Sequence, residues 1–171
     1  MRSSLKALAA VILATPLFAT VVVQAGELAP PQGEVVLTVT GGIDTSNAAE
    51  GAVFDLAMLE ALGMHTTVTV TPWYDGARTF SGPLGADLLK AVGAAGTTLK
   101  VTALNDYVTE IPVEDFQRYP VILATRLDGA EMSVRDKGPI FVIYPFDDAP
   151  ELNNETYYGR SAWQVKSIEV K

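Results

Sequence analysis

The sequence predicts an α+β fold made of mixed, mainly antiparallel sheets with short helices. Segments with strand character outnumber segments with helical character, and both clear helical segments are short. The strand segments are joined by turn-forming residues as often as by stretches long enough for a crossover. A doubly wound fold would instead alternate each strand with a long helix, so this pattern favours the α+β class.

The first predicted elements are a strand and a short helix. Residues 34–40 are rich in β-branched side chains and stop at two glycines, which is typical of a strand followed by a turn. The polar residues 44–51 predict a loop. Asp55 then stands where a helix N-cap is expected, and apolar residues follow at helical spacing up to Gly63. A short amphipathic helix is therefore predicted over 56–62.

A second strand and a second helix follow in the same order. β propensity predicts a strand over 66–71, which Pro72 and the turn-forming residues after it end. After a Gly-Pro pair, leucine and valine residues recur at helical intervals over 84–92. Gly93 is the expected C-terminal cap of this second helix.

The second half of the chain predicts mainly strands and turns. Asp128-Gly129 lies between short apolar stretches and predicts a tight hairpin, because glycine accepts the positive φ that such turns require. The other predicted elements are strands over 99–104, 121–124, 140–144 and 163–170, an extended segment over 107–111 and a helical turn over 113–116.

The first 25 residues predict a secretory signal that does not belong to the fold. Basic residues precede the apolar segment 7–23, and a small-residue cleavage site ends at Ala25. An uncleaved membrane anchor is the alternative, although Pro16 interrupts a segment that is near the lower length limit for crossing a bilayer. We therefore expect one domain over 26–171 that is periplasmic or secreted and has no stable membrane anchor after cleavage.

The composition excludes several classes of function. Without the predicted signal, 10 basic residues stand against 20 acidic ones, a net charge of −10, so nucleic acid and anionic membranes are not expected partners. The chain has no cysteine, which excludes disulfides, thiolate metal sites and cysteine nucleophiles. His65 is the single histidine, so a histidine-cluster metal site is excluded and a structural role is expected for His65.

Short landmarks along nearly the whole domain carry a family resemblance. In chain order they are a Leu-Thr-Val-Thr-Gly strand, Phe54-Asp-Leu-Ala-Met-Leu, Phe80-Ser-Gly82, Asn105-Asp-Tyr107, Ile111-Pro112, Asp128-Gly129, Gly138-Pro139, Tyr144-Pro145 and Trp163. With this order and spacing, the chain resembles the oxidoreductase molybdopterin-binding domain, the catalytic domain of the sulfite oxidase family. The resemblance implies the sulfite-oxidase-type molybdopterin-binding fold, a mixed α+β assembly of twisted sheets with short helices.

The chain departs from this family at the metal ligand. Family enzymes bind molybdenum through a cysteine thiolate near the end of the strand that corresponds to residues 66–72, where this chain has Thr69 and Thr71. A hydroxyl is a poor substitute for a soft thiolate on a high-valent metal. The absence of cysteine therefore argues against sulfite-oxidase-type catalysis. A bound metal or cofactor is not expected, and molybdopterin is implied only by the resemblance.

Nine residues are candidates for a cleft or an anion-binding site. Trp73, Asp75 and Arg78 lie where the resemblance places the metal-ligand loop, although Trp73 alternatively closes the core above a strand end. The resemblance places residues 105–107 beside the site, whereas Asn-Asp is also an ordinary turn. A third group, at 135–137, either binds an anion or forms a solvated loop. The nine are Thr71, Trp73, Asp75, Arg78, Asn105, Asp106, Tyr107, Arg135 and Lys137.

Two residues near the C terminus, Arg160 and Trp163, could reach the cleft from the last strand, but structural roles are expected for both. A core position is predicted for Trp163, because a tryptophan side chain is large and mostly apolar. Arg160 is predicted to pair with a carboxylate of the acidic segment 147–155, because buried or half-buried cations need a partner.

Three functions are consistent with the sequence. The first is an exported, non-catalytic binding or accessory module of a redox or sensory system, in which the former cofactor cleft takes a small anion or a protein partner. The second is a molybdopterin-dependent oxidoreductase whose metal is bound by oxygen donors such as Thr71 or Asp75. The third is a structural or interaction domain with a filled cleft. The absence of cysteine favours the first.

Overall fold

A computed structural model describes residues 28–171, so the predicted signal over 1–25 lies outside the described residues. No helix within the described range is both long and apolar enough to cross a membrane. The strands are β1 Val35–Gly41, β2 Ala52–Asp55, β3 His65–Val70, β4 Ala77–Gly82, β5 Thr98–Ala103, β6 Val108–Pro112, β7 Ile122–Ala124, β8 Arg126–Leu127, β9 Ala130–Glu131, β10 Phe141–Ile143 and β11 Val165–Val170. The helices are α1 Leu56–Ala61, α2 Gly85–Ala91, α3 Val113–Arg118 and α4 Glu155–Arg160.

The strands form three sheets. The largest has the order β2-β1-β11-β5-β6, and within it β1 and β11 run parallel while the other neighbours are antiparallel. A second, antiparallel sheet has the order β3-β4-β8-β9, and β7 and β10 form an antiparallel pair of their own. The predicted α+β class with mixed, mainly antiparallel sheets and short helices is confirmed.

The pair β7 and β10 lies between two hydrophobic cores. Leu123 and Val142 belong to the larger core, which also holds the inner face of the five-stranded sheet. Their strand neighbours Ile122 and Ile143 belong to a smaller core around Phe80. Successive side chains of a strand point to opposite faces, so both faces of this pair are buried. That explains why 121–124 and 140–144 are unbroken apolar runs.

Several predicted elements are present with shifted ends, and two strands were not predicted. Asp55 caps α1, with its Oδ1 accepting a hydrogen bond from the Met58 N–H at 2.8 Å. The hairpin at Asp128-Gly129 joins β8 to β9. Strands β2 and β4 were not predicted. In β4, only Phe80 and Gly82 are buried, so its sequence lacks the apolar alternation that indicates a strand.

A buried polar network connects α3, α4 and the segment that follows β10. Tyr144 is fully buried, and its hydroxyl donates a hydrogen bond to Asp115 Oδ2 at 2.8 Å. Arg160 Nη1 donates to the same oxygen at 2.9 Å. The prediction that Arg160 pairs with a carboxylate of 147–155 is therefore wrong. Folding brings Arg160 to Asp115, 45 residues earlier in the chain, and that carboxylate is buried and needs a cation.

We expect the protein to lose stability above about pH 10 through Tyr144. Burial raises the pKa of Tyr144 above its ordinary value of 10.0, and the Asp115 carboxylate raises this pKa further. The unfolded chain therefore releases the proton near pH 10 while the folded chain keeps it, which lowers the free energy of unfolding as pH rises. From about pH 8 to about pH 11 the loss should reach about 1.4 kcal/mol.

Urea unfolding of the wild type and Tyr144→Phe at both pH values measures this contribution. The other titrating groups are common to both proteins, so their effects cancel in the difference. The loss between the two pH values should be about 1.4 kcal/mol smaller in the variant. Equal losses would mean that Tyr144 ionises as readily in the folded state as in the unfolded one.

Candidate functional site

A pocket of about 330 Å³ lies beside Trp73, at the low end of the volumes usual for small-molecule sites. Two larger but more open grooves lie elsewhere on the described surface. We call the first one the aromatic pocket, because four rings line it together with a carboxylate, an amide and a hydroxyl. Its lining residues are Trp73, Ala103, Asn105, Tyr107, Glu155, Tyr158, Gly159, Ser161, Ala162 and Trp163.

Trp73 joins the aromatic pocket to both cores. Its ring centroid lies 5.8 Å from that of Trp163 and 6.0 Å from that of Tyr158, and both pairs pack edge to face. The ring also packs on Phe141 at 5.3 Å and on Phe146 at 6.4 Å. Edge-to-face aromatic packing is favourable and fixes the ring planes. Trp73 is therefore held at a steep angle to two other walls of the pocket, Trp163 and Tyr158, by packing on the interior of the protein.

The turn between β5 and β6 forms the rim of the aromatic pocket. Asp106 has a φ of 63° there, and the Tyr107 N–H donates to Asn105 Oδ1 at 3.1 Å. The Tyr107 hydroxyl donates to the Gly159 carbonyl oxygen at 3.0 Å, which ties the rim to α4. The side chain of Asp106 pairs with Lys166 at 2.7 Å, and this hydrogen bond lowers the pKa of Asp106. The Asn-Asp turn is thus both an ordinary turn and a pocket wall.

Two of the three cationic candidates, Arg78 and Lys137, lie over Tyr74, and none of the three lines the aromatic pocket. Arg78 pairs with Asp128 at 3.3 Å and lies over the Tyr74 ring at 5.6 Å. Lys137 Nζ lies 4.6 Å from the centroid of the Tyr74 ring and 5.9 Å from that of Trp163. Arg135 is exposed in the short 3₁₀ turn that begins at Val134. An anion-binding role for Arg135 and Lys137 therefore stays a prediction, separate from the pocket.

The proposed oxygen donors for molybdenum, Thr71 and Asp75, lie in different environments, one buried and one exposed. Thr71 is 4% exposed, and its hydroxyl is enclosed without a hydrogen-bond partner among the described residues. Asp75 is exposed, and neither residue lines the aromatic pocket. Within 28–171, no three histidine or acidic side chains are grouped so that they could hold a metal ion. The residues present therefore do not fit a molybdenum ion bound by Thr71 and Asp75.

The lining charge does not fit the phosphate of molybdopterin either. Phosphate sites in proteins are usually built from Arg, Lys or clustered backbone N–H groups. The one charged side chain among the residues that line the aromatic pocket is Glu155, which would repel a phosphate. No reaction step that involves this cofactor is therefore assigned to the chain.

Sequence reasoning found one side of the aromatic pocket and missed the other. Trp73, Asn105 and Tyr107 were among the nine candidates, and the structure brings these three together. The residues of α4, Glu155 and Tyr158 among them, were not predicted, because a six-residue helix in an acidic segment has too few apolar positions for a periodic pattern. The adjacent pair Tyr157-Tyr158 was the available signal.

Trp163 combines the predicted role with a second one. It packs on Phe141 with ring centroids 5.9 Å apart, as expected for a core residue, and it also lines the aromatic pocket. A bridge between Phe141 and Trp163 fixes its backbone just before β11. Both tryptophans of the chain therefore lie at this pocket.

No protein-family model matches this chain, and no curated protein matches it. The resemblance to the sulfite oxidase family therefore stays a prediction based on the short landmarks. Function has to be inferred from the geometry and the chemistry of the aromatic pocket.

Proposed function

We propose that this chain is an exported binding module without catalytic activity, which works as an accessory part of a redox or sensory system. The aromatic pocket beside Trp73 carries the proposal, because it is a formed concave site with converging rings and a few polar groups. In this proposal the domain has the sulfite-oxidase-type molybdopterin-binding fold, and the pocket corresponds to the former cofactor cleft.

The position of the aromatic pocket supports the proposed relationship. The resemblance expects the cofactor cleft at the end of the strand that contains Thr66–Thr71 and beside the turn at 105–107. Trp73 follows that strand directly, and Asn105 and Tyr107 belong to that turn. The three side chains line one pocket although more than 30 residues separate Trp73 from Tyr107 in the sequence.

Two observations support a role in binding without catalysis. The chain has no cysteine for the metal, and the hydroxyl of Thr71 is enclosed away from the pocket. The ionisable groups among the lining residues are Glu155 and two tyrosines, and neither a histidine nor a second carboxylate lines the pocket to form an acid–base pair with Glu155. A structural domain would instead be expected to fill this space with side chains.

Metal analysis and mass spectrometry of protein purified from its native compartment test the proposal. We expect far less than one molybdenum per chain and no pterin after oxidative release, because the side chains present do not fit the cofactor. An enzyme of the sulfite oxidase family prepared in parallel serves as the positive control for recovery. Stoichiometric molybdenum with a pterin would overturn the proposal in favour of the oxidoreductase alternative.

A further inference from the structure

We propose that the aromatic pocket binds a small organic cation through a substituted ammonium group. This inference rests on the proposed function, because it takes the pocket to be the binding site of the module. It goes further by assigning the chemical class of the ligand. Four features of the described residues carry it: the rings, the single carboxylate, the absence of a cation in the lining, and the volume.

The rings of the aromatic pocket present the surface that attracts ammonium groups. The face of an indole or phenol ring carries negative electrostatic potential and attracts a cation within about 6 Å of the centroid. Trp73 packs edge to face with Trp163 at an interplanar angle of 68° and with Tyr158 at 79°, so neither pair is stacked face on face. Tyr107 adds a fourth ring at the rim.

Trp163 already interacts with a cation of the protein. Lys137 Nζ lies 5.9 Å from its ring centroid, within the distance at which a cation–π attraction acts. Lys137 itself lies closer to Tyr74, at 4.6 Å, and does not line the aromatic pocket. Lys137 would therefore repel a second cation bound at the pocket. Replacing Lys137 with a neutral residue should strengthen the binding of such a cation.

The charge of the lining selects a cation over an anion. Glu155 is the single charged lining residue, and its carboxylate forms no ion pair with a side chain among residues 28–171. The nearby Arg160 is neutralised by Asp115 at 2.9 Å, and Asp106 is neutralised by Lys166 at 2.7 Å. Among the lining residues the uncompensated charge is therefore that of Glu155, while Lys137 lies outside the lining, 5.9 Å from the Trp163 ring centroid. The acidic residues of the domain outnumber its basic ones by ten.

The volume restricts the ligand to a small molecule. About 330 Å³ is near the lower end of the range for ligand sites, and the pocket opens on one side to solvent. A trimethylammonium group fits the rings because it is large, weakly hydrated and positively charged over its whole surface. A polar substituent on such a cation can face Asn105 and the open rim.

Titration with choline chloride tests the inference, with 3,3-dimethylbutan-1-ol as the uncharged analogue of the same shape and sodium sulfate as the anion. Calorimetry measures affinity, and the emission of the two tryptophans reports on the site, since both line the pocket. Choline should bind about tenfold more tightly than the uncharged analogue, because the rings attract the charge as well as the methyl groups. Sulfate should not displace choline.

Substitutions that change the charge near the pocket should change the affinities for cations and for anions in opposite directions. Glu155→Gln should weaken choline binding by about fivefold, and Lys137→Gln should strengthen it by about twofold. The control is Asp148→Asn, an exposed carboxylate in the preceding loop that does not line the pocket, and it should change the affinity by less than about twofold. Tyr107→Leu removes a rim ring and should weaken choline binding by about fivefold.

Each outcome separates this inference from the proposed function. Equal affinity for choline and the uncharged analogue, or no choline binding, would overturn the assignment of a cation. Sulfate binding that weakens in Lys137→Gln and strengthens in Glu155→Gln would overturn it in favour of an anion and leave the binding module in place. Molybdenum and pterin in the native protein would overturn the proposed function itself.

Discussion

Replacing Asp115 with alanine should lower the free energy of unfolding by about 3 kcal/mol, because it leaves a partly buried cation and a buried hydroxyl without their shared acceptor. Asp115 Oδ2 accepts from both Tyr144 and Arg160. Tyr144 is fully buried, so its hydroxyl has no access to water in place of the carboxylate. Arg160 is about four-fifths buried and would lose the only carboxylate with which it pairs among the described residues.

Urea unfolding followed by tryptophan emission measures the loss. Glu114→Ala is the matched control, because Glu114 is the neighbouring carboxylate in the first turn of α3 and is exposed. Exposed substitutions of this kind change stability by about 0.5 kcal/mol or less. A loss below about 1 kcal/mol for Asp115→Ala would show that the network contributes little, as happens when water replaces a buried acceptor.

The same network positions one wall of the aromatic pocket. Arg160 is the last residue of α4, and α4 supplies Glu155 and Tyr158 to the lining. The ion pair with Asp115 therefore connects α4 to α3, while the Tyr107 hydroxyl connects it to the rim. Asp115 does not line the pocket and acts on it through α4, so it is a positioning residue. Its substitution should weaken choline binding only if α4 shifts and displaces Glu155 and Tyr158.

The sequence was sufficient for those elements that local chemistry specifies. Asp55 could be recognised as an N-cap because its carboxylate accepts the N–H of Met58, three residues later. The hairpin at Asp128-Gly129 was predicted from the Asp-Gly dipeptide, and both residues have the positive φ that such turns require, 50° and 84°. The buried strands β7 and β10 were each predicted from an unbroken apolar run, since neither face of these strands meets water.

The elements that were missed depend on partners far away in the sequence. Strand β4 has small and polar residues at most positions, and it is a strand because β3 and β8 pair with it on either side. The residues that neighbour Arg160 in the sequence do not indicate its partner, Asp115, which lies 45 residues earlier. The β-branched residues of β3 correctly predicted a strand, but the burial of its two faces is the opposite of what hydrophobicity predicts. Thr67 and Thr69 are buried, whereas Val68 is 57% exposed.

For the candidate site, single residues could be proposed from the sequence, but their grouping into one pocket could not. Trp73, Asn105 and Tyr107 could be proposed because the resemblance implies a site at the end of the strand before Trp73 and beside the turn at 105–107. Their grouping into one pocket could not be derived, since it depends on how β3, β5 and α4 pack together. Glu155, the residue that decides the charge of the pocket, could be recognised only after α4 was placed beside Trp73.

Gly82 marks the junction between two sheets, and alanine there should be about as damaging as the loss of Asp115. On either side of Gly82, β4 meets β7: the Thr125 N–H donates to the Ser81 oxygen at 2.9 Å, and the Leu123 N–H donates to the Pro83 oxygen at 2.9 Å. A Cβ on Gly82 would collide with the carbonyl of Leu123 and come within 2.8 Å of the Cα of Ala124.

We expect Gly82→Ala to lower the free energy of unfolding by about 3–4 kcal/mol, because the colliding atoms are backbone and cannot rotate away. Strand β7 cannot move aside either, since both of its faces are buried in the two cores. Gly159→Ala is the control: a Cβ there meets nothing within 4 Å and lies in α4, so stability should rise by about 0.5–1 kcal/mol. Thermal and urea unfolding measure both variants. A Gly82→Ala protein as stable as the wild type would show that β4 and β7 can separate, and that the two sheets are not rigidly joined at this glycine.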